Sequence, residues 1–310
     1  MDIEALVWFG EHRTEFLTKF MSIITYAGSE IAAIGIACLV YWCFNRKTGN
    51  RMLLTMLSSL LSNQLLKIVV VARRPWVRSA RVKADPDAIK EATGYSFPSG
   101  HTANAAAAFG GLAYGEKVKL VLKVLAWLLV VLVAISRLYL GVHTPQDVLI
   151  GLAMSIVLVY VMGWVSDKLE KNPKLDVTIC AIALTLVAVT LLVAIFRHFP
   201  GTAEEIKTNR ADAFKLVGAV IGMMLGWLLE RRTVGFDKPK NIGFAFMRLL
   251  VGLALVLALL KGTKSALNSL LGDFAGSVVR YFLTCFTAIY LWPLIFNKIE
   301  KRALSSGVKA

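Results

Sequence analysis

A serine, a glycine and a histidine stand together in the stretch GYSFPSGHTANAAAAFG, residues 94–110, at the mouth of a small-residue helix. Ser99 and His101 are costly to leave unpaired beside lipid, so they call for a polar partner. Two further stretches carry complementary groups. KIVVVARRP, residues 67–75, holds Lys67 and, after six intervening residues, Arg74 followed by Pro75. SRLYLGVHTPQD, residues 136–147, holds Ser136 and Arg137, then His143, then Asp147. A phosphate group suits this set. Phosphoryl transfer asks for in-line placement and neutralisation of the equatorial oxygens more than for unusual covalent chemistry. Three cations can supply that neutralisation where other enzymes use metal ions. Gly100 allows the backbone to approach an oxyanion closely.

The spacing says what must position these groups. Thr144 is a good N-cap, Pro145 suits the first helical position and Asp147 is an acid in the first turn. A helix therefore starts here, and His143 and Asp147, four apart, can meet on one face. A carboxylate on one imidazole nitrogen fixes the tautomer and leaves the other nitrogen to attack.

The rest of the chain reads as membrane helix. Of 310 residues 57% are hydrophobic and 18% charged, with a mean hydropathy of +0.64. Uninterrupted apolar runs of about 20 residues match a bilayer core of ~30 Å, and they lack the alternation of a barrel strand. The expected fold class is all-α, a polytopic helical bundle with an N-terminal interfacial helix over 1–19. Nine runs are predicted to span, at about 21–44, 52–72, 99–115, 120–139, 146–166, 174–196, 212–230, 243–261 and 275–297. The hinge at 167–174 divides a core at 1–166, which carries all three stretches, from four further spans at 167–310. Cys38, Cys43, Cys180 and Cys285 all lie in apolar runs, and no metal-ligand cluster is visible; they read as small buried hydrophobes. No cofactor is implied, and no cleavable signal pattern is seen.

The net charge of +15 does not point to nucleic acid, because Lys and Arg collect in cytoplasmic loops for topological reasons. Loops 45–51, 116–119, 167–174, 231–240 and the tail 298–310 hold 16 basic residues. Loop 73–98 alone holds six, read as basic for chemistry. Under the nine-span topology the three polar stretches fall at helix ends on one side, away from the cytoplasm.

These residues resemble the type-2 phosphatidic acid phosphatase superfamily, the lipid phosphate phosphatases. The family pattern Lys-x6-Arg-Pro, Pro-Ser-Gly-His and Ser-Arg-x5-His-x3-Asp appears as Lys67 to Pro75, Pro98 to His101 and Ser136 to Asp147 without departure. It covers about residues 20–166. The chain's length is similar to that of the sphingosine-phosphate phosphatases and of glucose-6-phosphatase, and some short stretches look like longer bacterial members. The resemblance implies that His143 is the nucleophile and forms a phosphohistidine, that Asp147 orients it, and that His101 protonates the leaving alkoxide and then helps activate water. Lys67, Arg74 and Arg137 hold phosphate oxygens, with Ser99 and the Gly100 N–H as further donors. The substrate is then an amphiphilic phosphate or diphosphate ester of a lipid or isoprenoid, with membrane lipids as the other partner, in a bacterial plasma membrane with the site outside.

Other residues carry two readings each. Glu30 either supports a cation of the site or pairs with another helix, and Asn63, four residues before Lys67, either orients the groups beside it or makes a helix–helix hydrogen bond. Arg78, Arg81 and Lys83 either steer an anionic substrate or form a solvated loop or lipid-headgroup contact. Trp76, Tyr95 and Phe97 read as interfacial anchors before substrate contacts, and Arg248 as a snorkelling residue at a span end. Two other functions fit the fold: a phosphoryl transferase with an acceptor other than water, and a lipid transporter with a vestigial site.

Overall fold

The computed structural model describes residues 2–115 and 118–306; Lys117 and Lys309, two of the residues counted for orientation, lie outside them. Among the described residues the chain is helical, without strands. In order the helices are α1 (Glu4–Glu11), α2 (Glu15–Tyr26), α3 (Glu30–Leu39), α4 (Arg46–Val70), α5 (Pro75–Arg78), α6 (Pro86–Glu91), α7 (Gly100–Ala105) and α8 (Gly111–Ala113). They continue as α9 (Leu120–Tyr139), α10 (Pro145–Lys171), α11 (Leu175–Phe196), α12 (Ala203–Thr233), α13 (Ile242–Leu257), α14 (Lys264–Phe286) and α15 (Trp292–Ser305).

Among the described residues seven helical stretches are long and apolar enough to cross a bilayer, or eight when the bent pair over Glu15–Tyr26 and Glu30–Phe44 counts as one span. The expected run 99–115 is helical from Gly100 to Ala113, with a π-turn at Ala106–Gly110 joining α7 to α8, but it falls short of the length a full span needs. The first expected run, 21–44, is not one helix. It breaks at Ala27–Ser29 and bends by 50°. The expected interfacial helix over 1–19 is likewise two pieces, because Thr14 caps α2 by accepting from the Leu17 N–H at 3.3 Å. That helix then carries on into the first expected span.

The chain folds as two compact units that interleave along the sequence. The first gathers Met1–Ile34, Arg51–Asp167 and Leu192–Arg210. In it α9 turns Leu120, Val121, Leu125 and Leu128 outward, each more than half exposed, as a lipid-facing side requires. Its other side buries Val130, Val133, Ala134 and Arg137. Two glycines let backbones close around the polar stretches. A Cβ on Gly28 would lie 2.6 Å from the His101 carbonyl oxygen and 2.8 Å from Val133 Cγ1, and one on Gly151 would lie 2.9 Å from the Ser99 carbonyl oxygen. The break before α3 and the first turns of α10 therefore pack directly on the start of α7.

The second unit gathers Gly35–Asn50, Lys168–Leu191 and Ala211–Ala310. Its core holds an ion pair. Arg248, 2% exposed, donates to both oxygens of Glu300, at 2.6 Å from Nε and 2.7 Å from Nη2, and Nη1 donates to the carbonyls of Trp42 and Asp237 at 2.7 Å. The snorkelling expected of Arg248 does not occur, because a carboxylate and two carbonyls satisfy the guanidinium inside the unit.

Candidate active site

Each polar stretch enters the first unit at the end of a helix. Lys67 lies in the last turn of α4. The helix then stops at Val71, whose φ of 58° is unusual for a β-branched residue, and the chain turns so that Arg74 precedes Pro75 at the start of α5. Arg74, 6% exposed, is fixed by carbonyls: Nε donates to Gly94 at 2.9 Å, Nη2 to Thr93 at 2.6 Å and Nη1 to Val142 at 3.2 Å. Its Nη1 also lies 3.0 Å from His143 Nε2.

The start of α10 behaves as its sequence predicts. Thr144 and Asp147 cap each other: the Thr144 N–H donates to Asp147 Oδ2 at 2.8 Å, and the Asp147 N–H to Thr144 Oγ1 at 3.4 Å, a reciprocal capping arrangement. His143 Nδ1 faces Asp147 Oδ2 at 3.5 Å. An arginine only donates, so the nitrogen that Arg74 meets carries the lone pair and the proton of neutral His143 sits on Nδ1, toward the carboxylate. Burial, then the nearby Arg74 charge, pushes the His143 pKa well below its ordinary value against the pull of Asp147. The imidazole is therefore held neutral with Nε2 available as a nucleophile.

Ser99 caps α7, and its N–H donates to the Asp147 carbonyl at 2.9 Å. Its hydroxyl is paired with Thr102 Oγ1 at 3.0 Å. Arg137 is fully buried; Nη1 donates to Thr25 Oγ1 at 2.8 Å, while Nε and Nη2 have no protein partner. Two buried guanidinium donors left over are what an anion would satisfy. Lys67 Nζ lies 4.0 Å from where a Cβ on Gly100 would be. Arg137, His143, Lys67 and Arg74 all lie close enough to His101 to act on it electrostatically. All eight principal residues thus converge in one unit. Asn63 belongs to the same neighbourhood: Nδ2 donates to the Pro98 carbonyl at 3.4 Å and Oδ1 is 3.8 Å from the Gly100 Cβ position. Glu30 opens α3 after the break inside the bent pair and is exposed.

Several participants carry no sequence signature. Ser96 donates to Asp147 Oδ2 at 2.6 Å. Glu91, the last residue of α6, places Oε2 3.8 Å from His101 Nε2. Thr25 is the partner of Arg137. Loop residues expected at the bilayer surface have other work. Arg78 pairs with Asp2 at 2.8 Å, and Arg81 grips both oxygens of Glu4 at 2.8 and 2.9 Å, so both tie α1 to the loop. Tyr95 is 3% exposed and donates to the Pro200 carbonyl at 2.9 Å, and Trp76 packs on the cluster of Ala88, Tyr139, Leu140 and Val142. Tyr95 is thus a core residue rather than an anchor, and Trp76 is half-buried against that cluster.

A helical membrane enzyme with histidines and cations gathered at helix ends is the class that fold and site define. Residues 48–171 match the PAP2 superfamily, and residues 214–303 match the transmembrane extension of PAP2 superfamily phosphatases. Phosphatidylglycerophosphatase B of Bacillus subtilis (strain 168) is 32% identical over 175 residues, which are 51% of this chain and 80% of that protein. Undecaprenyl-diphosphatase BcrC of the same organism is 29% identical over 51% of this chain and 80% of that protein. A probable sphingosine-1-phosphate phosphatase of Dictyostelium discoideum is 24% identical over 74% of this chain and 57% of that protein. No solved structure matches significantly. The chain belongs to the PAP2 superfamily and is an integral membrane phosphatase of that family.

Proposed function

We propose that this protein hydrolyses the phosphate of an amphiphilic ester, a lipid phosphate or isoprenoid diphosphate, through a phosphohistidine on His143 and without a metal ion. One observation carries the reading: His143 Nε2, its proton directed to Nδ1 and Asp147, faces the guanidinium of Arg74 at 3.0 Å. A phosphate drawn to Arg74, Arg137 and Lys67 arrives at the nitrogen able to attack it. Nε2 forms a bond to phosphorus as the bond to the ester oxygen breaks, and that oxygen takes a proton from His101. Water then gives a proton to His101 and attacks phosphorus; the P–N bond breaks and phosphate leaves. Ser99 and the Gly100 N–H donate to the phosphoryl oxygens during both steps.

The relatives named above act, by their names, on phosphatidylglycerophosphate, undecaprenyl diphosphate and sphingosine 1-phosphate. The headgroup differs and the amphiphilic phosphate is shared, which supports that substrate class here. The helix Gly100–Ala113 is shorter than a typical span, but it is assigned as a ninth membrane-crossing element beside the bent pair and the seven long helices, because Ser99 before it and Arg137 at the end of α9 fall on one side only if the chain crosses between them. Residues 1–166 form the phosphatase core, and the site faces away from the cytoplasm of a bacterial cell.

The test is chemical trapping. Purified protein given radiolabelled phosphatidate or isoprenyl diphosphate in chelator should release phosphate, and acid quench-free digestion should find an acid-labile, base-stable phosphate on His143. Retained turnover in His143→Ala, or loss of turnover in chelator that Mg²⁺ restores, overturns the reading.

A further inference from the structure

The second unit contains a cavity of about 770 Å³ that the hydrolytic chemistry does not use. That is the size of a small-molecule site. Three separate segments contribute to it, each within a region whose basic content marks chain orientation: Arg46 and Lys47 at the start of α4, Lys174 between α10 and α11, and Arg231 and Arg232 at the end of α12. Orientation by charge needs basic residues in these regions, but it does not need them to share one concave surface.

The cavity is also built, not only lined. Asp176, 3% exposed, is fixed by the Arg231 Nε–H, which donates to its Oδ2 at 2.9 Å, while its Oδ1 has no hydrogen-bond donor. Asn50, 8% exposed, lines the same cavity, and its Oδ1 also lacks a donor. Lys47 is drawn to Glu170 at 2.7 Å. Five cationic side chains line it against three acidic ones, Glu170, Asp176 and Asp237, and buried Glu230 faces Arg46 at 3.6 Å from behind; Lys174 and Arg232 are the cations outside these ion pairs, and the remaining positive excess favours an anion. The two buried acceptors without donors ask in addition for hydroxyl or amine hydrogens. One chemistry answers both demands: a phosphate ester that carries free hydroxyls next to the phosphate. Guanidinium groups take the phosphate oxygens as forked donors, and the hydroxyls donate to Asn50 and Asp176.

We infer that this cavity is a second anion site of the protein, one that binds a polyol phosphate ester. Glycerol phosphate is the smallest member of that class. It exists as a free ester and as the headgroup of an anionic glycerophospholipid, and the site recognises the part common to both.

The test uses the full chain in detergent with Arg137→Gln in place, which weakens phosphate binding at the catalytic site. In one arm, sn-glycerol 3-phosphate and inorganic phosphate are titrated calorimetrically. In the other, phosphatidylglycerol is added to mixed micelles and bound lipid is counted by native mass spectrometry. Saturable binding is expected in at least one arm, with glycerol 3-phosphate preferred to inorganic phosphate if the free ester is the ligand. Adding Lys174→Gln and Arg232→Gln, both at exposed positions and so compatible with folding, should weaken that binding at least tenfold. Binding only in the first arm identifies a free ester, and binding only in the second identifies the lipid headgroup. Absence of saturable binding in both arms, or binding that the double substitution leaves unchanged, overturns the inference.

Discussion

Arg74 Nη1 lies 3.0 Å from His143 Nε2, on the side of the ring opposite the one that meets Asp147. The guanidinium that should receive phosphate therefore rests against the nitrogen that should attack it. Incoming phosphate must take over this contact, and in doing so it is carried to Nε2. A lysine cannot replace this arginine, because carbonyls at Gly94, Thr93 and Val142 hold the guanidinium by three different nitrogens. Arg74→Lys is expected to lower kcat/KM about 100-fold, the scale of losing one preorganised donor, and to weaken vanadate inhibition in parallel. Near-normal kcat/KM in that variant would falsify the role.

The pH profile follows from the same contact. Burial and Arg74 lower the His143 pKa, and the reactive form is the neutral one. The free enzyme thus keeps its nucleophile as pH falls through the ordinary histidine value near 6.5, and protonation of His143 removes activity only further into acid. Arg74→Gln takes away one of the three depressing influences, which are burial, Arg74 and Arg137. It should move the acid limb of kcat/KM that belongs to His143 toward higher pH, alongside its loss of rate. An acid limb shifted the opposite way would count against a neutral His143 nucleophile.

Ser96 and Glu91 act on the two histidines from the loop. Ser96 donates to Asp147 Oδ2 at 2.6 Å, the oxygen that also faces His143, so Ser96→Ala should lower kcat several-fold with KM unchanged. Glu91 lies 3.8 Å from His101 Nε2, where its side chain can hold the proton-bearing ring in place for transfer to the leaving oxygen. Glu91→Gln should slow turnover of substrates with poor leaving groups more than of an aryl phosphate. Equal effects on both substrates would remove Glu91 from proton handling.

The sequence carried these site residues because each motif sits at the end of an apolar run, where helix geometry gives it a direction. The start of α10 was legible from Thr144, Pro145 and Asp147 alone, since capping is local. Contacts across the fold were not. Ser96, Thr25 and the carbonyls around Arg74 depend on how loop 73–98 closes over the site, and a lone serine, threonine or carbonyl gives no signal of that. The break at Ala27–Ser29 was hidden because alanine, glycine and serine are tolerated within membrane helices, and only the close approach of Gly28 to His101 reveals its purpose. Arg248 misled for a similar reason: its partner Glu300 lies 52 residues away.

That pair is expected to matter for stability. Arg248 and Glu300 are both buried, and removing one partner leaves the other charge uncompensated, at a cost of about 3–5 kcal/mol. Arg248→Met should lower the thermal midpoint of the detergent-solubilised protein strongly, whereas Arg248→Met combined with Glu300→Leu should recover much of the loss. A double variant no better than the single one would show that the carbonyl bonds to Trp42 and Asp237, not the charge pair, hold this core.

Sidedness can be read from two exposed lysines. Loops 45–51, 167–174 and 231–240 are basic and carry none of the motif residues, so positive-inside bias puts them in the cytoplasm. The proposed sidedness puts Lys67, Arg74, His101, Arg137 and His143 at the other side, where the headgroup of an outer-leaflet lipid would meet them while its tail stays in the bilayer. The reporting positions must be exposed whichever way the chain is oriented. Phe236 is 3% exposed and would stay unreactive on either side, so it cannot report. Lys90 in α6 and Lys238 in the α12–α13 connection are both exposed. Single cysteines at these two positions, in a chain whose Cys38, Cys43, Cys180 and Cys285 have been replaced, are labelled in intact cells with a membrane-impermeant maleimide. Residue 90 should react at once, and residue 238 only after the membrane is permeabilised. The reverse pattern would invert the topology and require a cytoplasmic pool of substrate.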